Sequence, residues 1–113
     1  MIRVTVVRER QSGRIAGFTL VGHAQYAEPG KDIVCAGVSA VAFGTVNSVE
    51  ALLGVTLDCT TDEREGRLEA QVPKLADAAR EERLQLLLES MVVMLNDIGR
   101  SYGKYMKITT KFR

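Results

Sequence analysis

An α+β domain built on a mostly antiparallel five-stranded sheet is the fold this sequence predicts, and three patterns predict it. Residues 2–8, 15–22, about 55–60, 67–72 and 106–112 are short segments of strand character. Two longer segments read as helices, one apolar on nearly every side and one carrying an apolar stripe at spacings of three and four. Turn residues between successive strands place them in hairpins, which favours antiparallel pairing. The predicted order is ββαββαβ in one domain covering 1–113, with both helices packed on the sheet, as suits a chain of 113 residues.

Each element has its own signal. Ile2, Val4 and Val6 alternate with Arg3 and Thr5, the mark of a half-buried strand. Gln11-Ser12-Gly13 is a turn, and Ile15 to Gly22 is the returning strand. Residues 24–32 hold the first Pro and a Gly without any clear period, so they form a loop. Asp32 then falls where a helix N-cap belongs. From Ile33 to Leu53 the residues are apolar or small almost all round, the pattern of a buried helix, and Gly37, Ala40 and Gly44 would admit a close neighbour. Strands at about Val55–Thr60 and Arg67–Val72 flank the charged turn Asp62-Glu63-Arg64-Glu65-Gly66. Leu84, Leu88, Met91, Leu95, Ile98 and Tyr102 line one face of the second helix, which Gly99 or Gly103 ends; Met91 and Met94 are read as core filling. Met106 to Phe112 alternates again as the fifth strand.

Composition narrows the function. Apolar residues make up 46% and charged residues 26%, with a formal net charge of +1, so nothing points to a nucleic-acid binder. The one local excess of positive charge, Lys104, Lys107, Lys111 and Arg113, is interleaved with apolar residues and reads as a solvated strand face. No segment is read as reaching the ~20 apolar residues of a membrane span, and the alternating N-terminus is not a signal peptide. The expectation is a soluble cytoplasmic protein. Cys35 and Cys59 are too few for a disulfide framework and remain thiols in a reducing compartment.

Chemistry concentrates between Gly22 and Ser39, where the only histidine, a cysteine, an aspartate and a serine lie together. With Asp32 as N-cap, Cys35 sits in the first helical turn, where free N–H groups and the positive end of the helix dipole favour a thiolate. The dipole supplies about 0.3–1 kcal/mol, up to about 2 in favourable sites. One pKa unit corresponds to about 1.4 kcal/mol, so the dipole alone leaves most of such a thiol protonated at neutral pH. A protonated imidazole would supply the rest, and His23 is the only one available. The eleven residues between them permit that contact without requiring it.

Other readings stand beside this one. Cys35 and His23 could both be packing residues. Asp32 could cap the helix by accepting the Cys35 N–H, or orient His23. Ser39, four residues past Cys35, could bond the Cys35 carbonyl or line a site. Cys59 has no histidine near it and reads as packing. No Cys-x-x-Cys or His-x-x-x-His supports a metal site, no cofactor is implied, and the loop Glu28-Pro29-Gly30-Lys31 lacks a phosphate-loop pattern.

The run from Gly22 to Ala40 joins Gly-His-Ala, Tyr-Ala-Glu, Gly-Lys-Asp-Ile-Val-Cys-Ala and Val-Ser-Ala in order. It resembles the signature of the ribosomal-processing cysteine protease family Prp, and the ββαββαβ pattern extends the resemblance over essentially the whole chain. Gly37 is a small departure where Ala is expected. The resemblance implies an endopeptidase that removes a short N-terminal extension from protein twenty-seven of the large ribosomal subunit, cutting after a Leu-Gln-Phe-Phe type sequence. It implies a catalytic dyad of His23 and Cys35, with Gly22, Asp32 and Ser39 as supporting positions, and a mobile loop over residues 24–31 whose Tyr26, Glu28 and Gly30 would face substrate. It also implies a homodimer. The backbone N–H groups of Cys35 and Ala36 are the expected oxyanion donors, and Tyr26 a candidate groove wall. A rival reading is a noncatalytic ribosome-assembly protein in which His23 and Cys35 merely pack.

Overall fold

The protein, seen as a computed structural model, is described over residues 1–28 and 31–113. Its elements are β1 (Ile2–Arg8), β2 (Ile15–Val21), α1 (Ile33–Leu53), β3 (Asp58–Asp62), β4 (Arg67–Gln71), α2 (Ala78–Ser101) and β5 (Met106–Phe112), the predicted order. The strands form one sheet in the order β3-β4-β2-β1-β5. Pairing is antiparallel throughout except between β1 and β5, which run parallel.

Strand alternation decides where the core lies. Val4 pairs with Leu20, Val6 with Phe18, Phe18 with Ala70 and Ile2 with Met106. All of these are buried, so they form one apolar face. Their neighbours Arg3, Thr5, Glu69 and Lys107 point to the other face. Each helix is a crossover between strands of like direction, β2-α1-β3 one way along the sheet and β4-α2-β5 the other. Because β2 and β4 are antiparallel, two right-handed crossovers of this kind put both helices on the same face. That face is the buried one.

Polar clamps hold α2 in register. The Gln85 side chain accepts from the Ile15 N–H at 2.7 Å and donates to the Ile15 carbonyl at 2.9 Å. Arg8 forks onto Glu89 with both contacts at 2.7 Å. On the inner face of the same helix Leu84, Leu88, Met91 and Leu95 fill the core.

Three expectations need correction. The first helix is not buried all round: Val34, Val38, Ala42, Thr45 and Val49 face inward, while Leu52 is 71% exposed and Ile33 and Phe43 are also exposed. A helix lying on a two-layer fold has only its inner side covered, so its outer apolar residues face solvent. Met94 likewise sits outside, in a groove between the helices, whereas Met91 is in the core. Second, α1 is long and apolar enough, over 21 residues, to meet the length test for a membrane span. The sheet occupies its inner stripe, as in a core helix. Third, β3 begins at Asp58, because Val55 and Leu57 bury their side chains in the connection before it.

Candidate active site

The site forms where the end of β2, the start of α1 and the β3–β4 turn converge. Asp32 caps α1 as expected: its Oδ1 accepts the N–H groups of Val34 and Cys35, each at 3.0 Å. Its Oδ2 accepts from Tyr26 at 3.0 Å and Ala27 at 3.3 Å. Burial works to raise this carboxyl, but the backbone hydrogen bonds from Cys35, Ala27, Tyr26 and Val34 outweigh it and hold the group below its ordinary range. One side chain thus ties the loop after β2 to the head of α1. No hydrogen bond joins it to His23, so Asp32 caps and pins; it does not orient the imidazole.

Capping also removes the expected oxyanion donors. The Cys35 N–H goes to the Asp32 carboxylate, and the Ala36 N–H donates to the Asp32 carbonyl at 3.0 Å. Both donors are satisfied within the helix start. The backbone group that faces the sulfur is the Ala24 N–H, which donates to Cys35 Sγ at 3.2 Å. Its neighbour Gln25 holds φ at +59°, a left-handed conformation unusual for a residue with a side chain. That bend separates the Ala24 N–H, aimed at the sulfur, from those of Tyr26 and Ala27, aimed at Asp32.

His23 is exposed, and its Nε2 lies 3.3 Å from the Arg64 carbonyl. His23 and Cys35 make no hydrogen bond to each other, yet they line the same two clefts, and Ser39 joins them in both. One cleft, about 290 Å³, runs under the β3–β4 hairpin and is walled by Ile2, Leu20, Val38, Phe43 and Leu68. The other is bordered by Gln25, Ala27, Asp32 and Ala36. The two meet at the cysteine and the histidine. Ser39 is exposed, with no hydrogen bond to the Cys35 carbonyl among the described residues.

Gly22 has φ of +102°, and a Cβ there would collide with the Met1 carbonyl. It turns the chain from β2 toward the site in a conformation glycine adopts without strain. Tyr26 is elsewhere than expected: its ring meets Tyr102 and Tyr105 edge-on at centroid distances of 5.8 and 5.1 Å, and it walls neither cleft. Glu28 is exposed and away from both clefts, and Gly30 lies outside the described residues. Sequence reading missed Gln25, the Ala24 N–H and the Arg64–Gly66 turn. Only the glycine closing that charged turn hinted at a tight approach.

The family profile described as Cysteine protease Prp matches residues 1–107. The ribosomal processing cysteine protease Prp of Bacillus subtilis is 40% identical over 110 residues, covering 97% of each chain. A crystal structure of an essential ribosomal processing protease Prp from S. aureus, in complex with a covalently linked product peptide, superposes with a TM-score of 0.81 at 32% identity. It spans 98% of this chain and all of that one. A second structure of the S. aureus protease, with a substrate peptide, gives the same TM-score at 31% identity.

Proposed function

The chain belongs to the Prp family of cysteine proteases, a family of hydrolases, and from that premise we propose that it removes the N-terminal extension of protein twenty-seven of the large ribosomal subunit through a dyad of Cys35 and His23. The observation that carries this reading is that two largely apolar clefts meet at these two side chains. An extended peptide laid through both would present its carbonyl to the sulfur.

In this mechanism His23 takes the Cys35 proton, and Sγ attacks the carbonyl carbon after the second Phe. The Ala24 N–H, released from the sulfur as charge moves to oxygen, stabilises the oxyanion. The imidazolium then protonates the departing amine, and water cleaves the thioester with His23 as base. The cleft walled by Leu20, Val38, Phe43 and Leu68 takes an aromatic side chain of the substrate. Gln25, Ala27 and Ser39 border the peptide on the other side.

A second copy covers the outer helix groove, where Val41, Gly44, Leu87 and Met94 leave apolar surface open. Two unpaired thiols and a ribosomal substrate suit the cytoplasm. The test is cleavage of a peptide carrying the Leu-Gln-Phe-Phe sequence, read by mass spectrometry. The expected result is a single cut after the second Phe, lost in His23→Ala with the fold retained. Undiminished cleavage in that variant overturns the dyad.

A further inference from the structure

Three consecutive residues of the β3–β4 turn abut the Gly22–His23 segment. The Gly22 N–H donates to the Glu65 carbonyl at 2.9 Å, and the Arg64 carbonyl lies 3.3 Å from His23 Nε2. Gly66 packs so closely that an added Cβ would stand 2.9 Å from His23 Cε1 and 2.5 Å from the Gly22 carbonyl oxygen, with φ already at +59°. The turn is itself ordered. Asp62 Oδ1 accepts from the Arg64 N–H at 2.9 Å, and the Gly66 N–H reaches the Glu63 carbonyl at 3.3 Å.

A carbonyl oxygen only accepts, so the nitrogen facing it must carry the hydrogen. The Asp32 carboxylate, which borders the same cleft as His23, is committed to four backbone N–H groups. We propose that the Arg64 carbonyl is the third, orienting member of the site, holding the imidazole with its proton on Nε2 and leaving Nδ1 as the atom that exchanges a proton with Cys35.

This rests on the dyad proposed above and deepens it. On attack the Sγ–H bond breaks and an Nδ1–H bond forms. The same Nδ1 hydrogen then passes to the amine nitrogen as the peptide C–N bond breaks. The Nε2–H stays on Arg64 throughout, and its hydrogen bond strengthens while the ring is cationic. Gly66 is a positioning residue, since only a residue without a side chain lets the turn close on the ring.

The chain has a single histidine, so one imidazole dominates the ring-nitrogen region of a ¹⁵N spectrum. At about pH 9, where an imidazole is neutral, the expected form is the Nε2–H tautomer. An Nδ1–H tautomer, or an even mixture, overturns the proposal. Gly66→Ala should mix the tautomers and lower kcat for the peptide at least about tenfold with KM little changed. Gly13→Ala, equally left-handed at φ +75° but with open space around it, should do neither. Unaltered tautomer and kcat in Gly66→Ala also overturn the proposal, and if that variant does not fold, the wild-type spectrum decides alone. A His23→Ala protein that still cleaves peptide sinks the dyad; an Nδ1–H tautomer in a protein that needs His23 sinks only the role of Arg64.

Discussion

The two cysteines of this chain are the same group in opposite surroundings. Cys35, at the head of α1, receives a backbone N–H on its sulfur and borders two clefts. Cys59, on β3, has no such donor among the described residues; burial, and then the charge of Asp58, push its thiol up. A hydrogen bond to sulfur favours the ionised form, while an apolar wall and a neighbouring carboxylate disfavour it. Reactivity therefore follows from what surrounds each sulfur, and Cys35 differs from Cys59 chiefly in the Ala24 N–H that the loop after β2 aims at its sulfur.

The sharpest way to break this contrast is substitution. Cys35→Ser should lower peptide cleavage by at least about 10³-fold, whereas Cys59→Ser should stay within about twofold of the parent. Comparable losses in both would erase the distinction. Next comes chemical labelling of the two single-thiol proteins with iodoacetamide. At about pH 7 the Cys35 thiol should react roughly tenfold faster or more, and labelling of Cys59 should climb only above the ordinary thiol range near about pH 8.5.

A smaller effect attaches to the cap that builds the helix start. The Asp32 carboxyl is held below its unfolded value, so its contribution to stability is present above about pH 4 and lost as pH falls through the lower folded value. Denaturant midpoints should show Asp32→Ala less stable than the parent at neutral pH, with the gap closing in acid. A gap that stays constant with pH would contradict the charged cap. Smallest is the Arg8–Glu89 fork, remote from both sulfurs and half open to water on the Glu89 side. Glu89→Gln should cost about 1 kcal/mol or less by urea denaturation and leave cleavage unchanged.

Local signals were readable from the sequence, and nonlocal ones were not. Period-two and period-three-to-four patterns located the elements, and Asp32 announced the cap because capping is a contact over two or three residues. Other features lie between segments far apart in sequence. The parallel pairing of β1 with β5 depends on which way α2 crosses the sheet, and no residue in either strand states that. Arg64 reaches His23 across 41 positions, and Tyr26 finds Tyr102 and Tyr105 near the far end of the chain. The oxyanion expectation failed for a related reason: the same cap that identified the helix start consumes the donors placed there. The start of α2 was missed because its first turn, from Ala78 to Glu82, holds only alanines and charged residues and so carries no apolar stripe; Asp77 caps it.

The turn that carries Arg64 hangs between β4 and β3, and β3 is the outermost strand, five residues long and mostly exposed. Outer strands of this kind open more readily than the sheet interior. Turnover should therefore fade on warming before the helical signal does. A compound that pairs along the free side of β3 would act on the enzyme at a distance, tightening or loosening the grip on its histidine without entering either cleft.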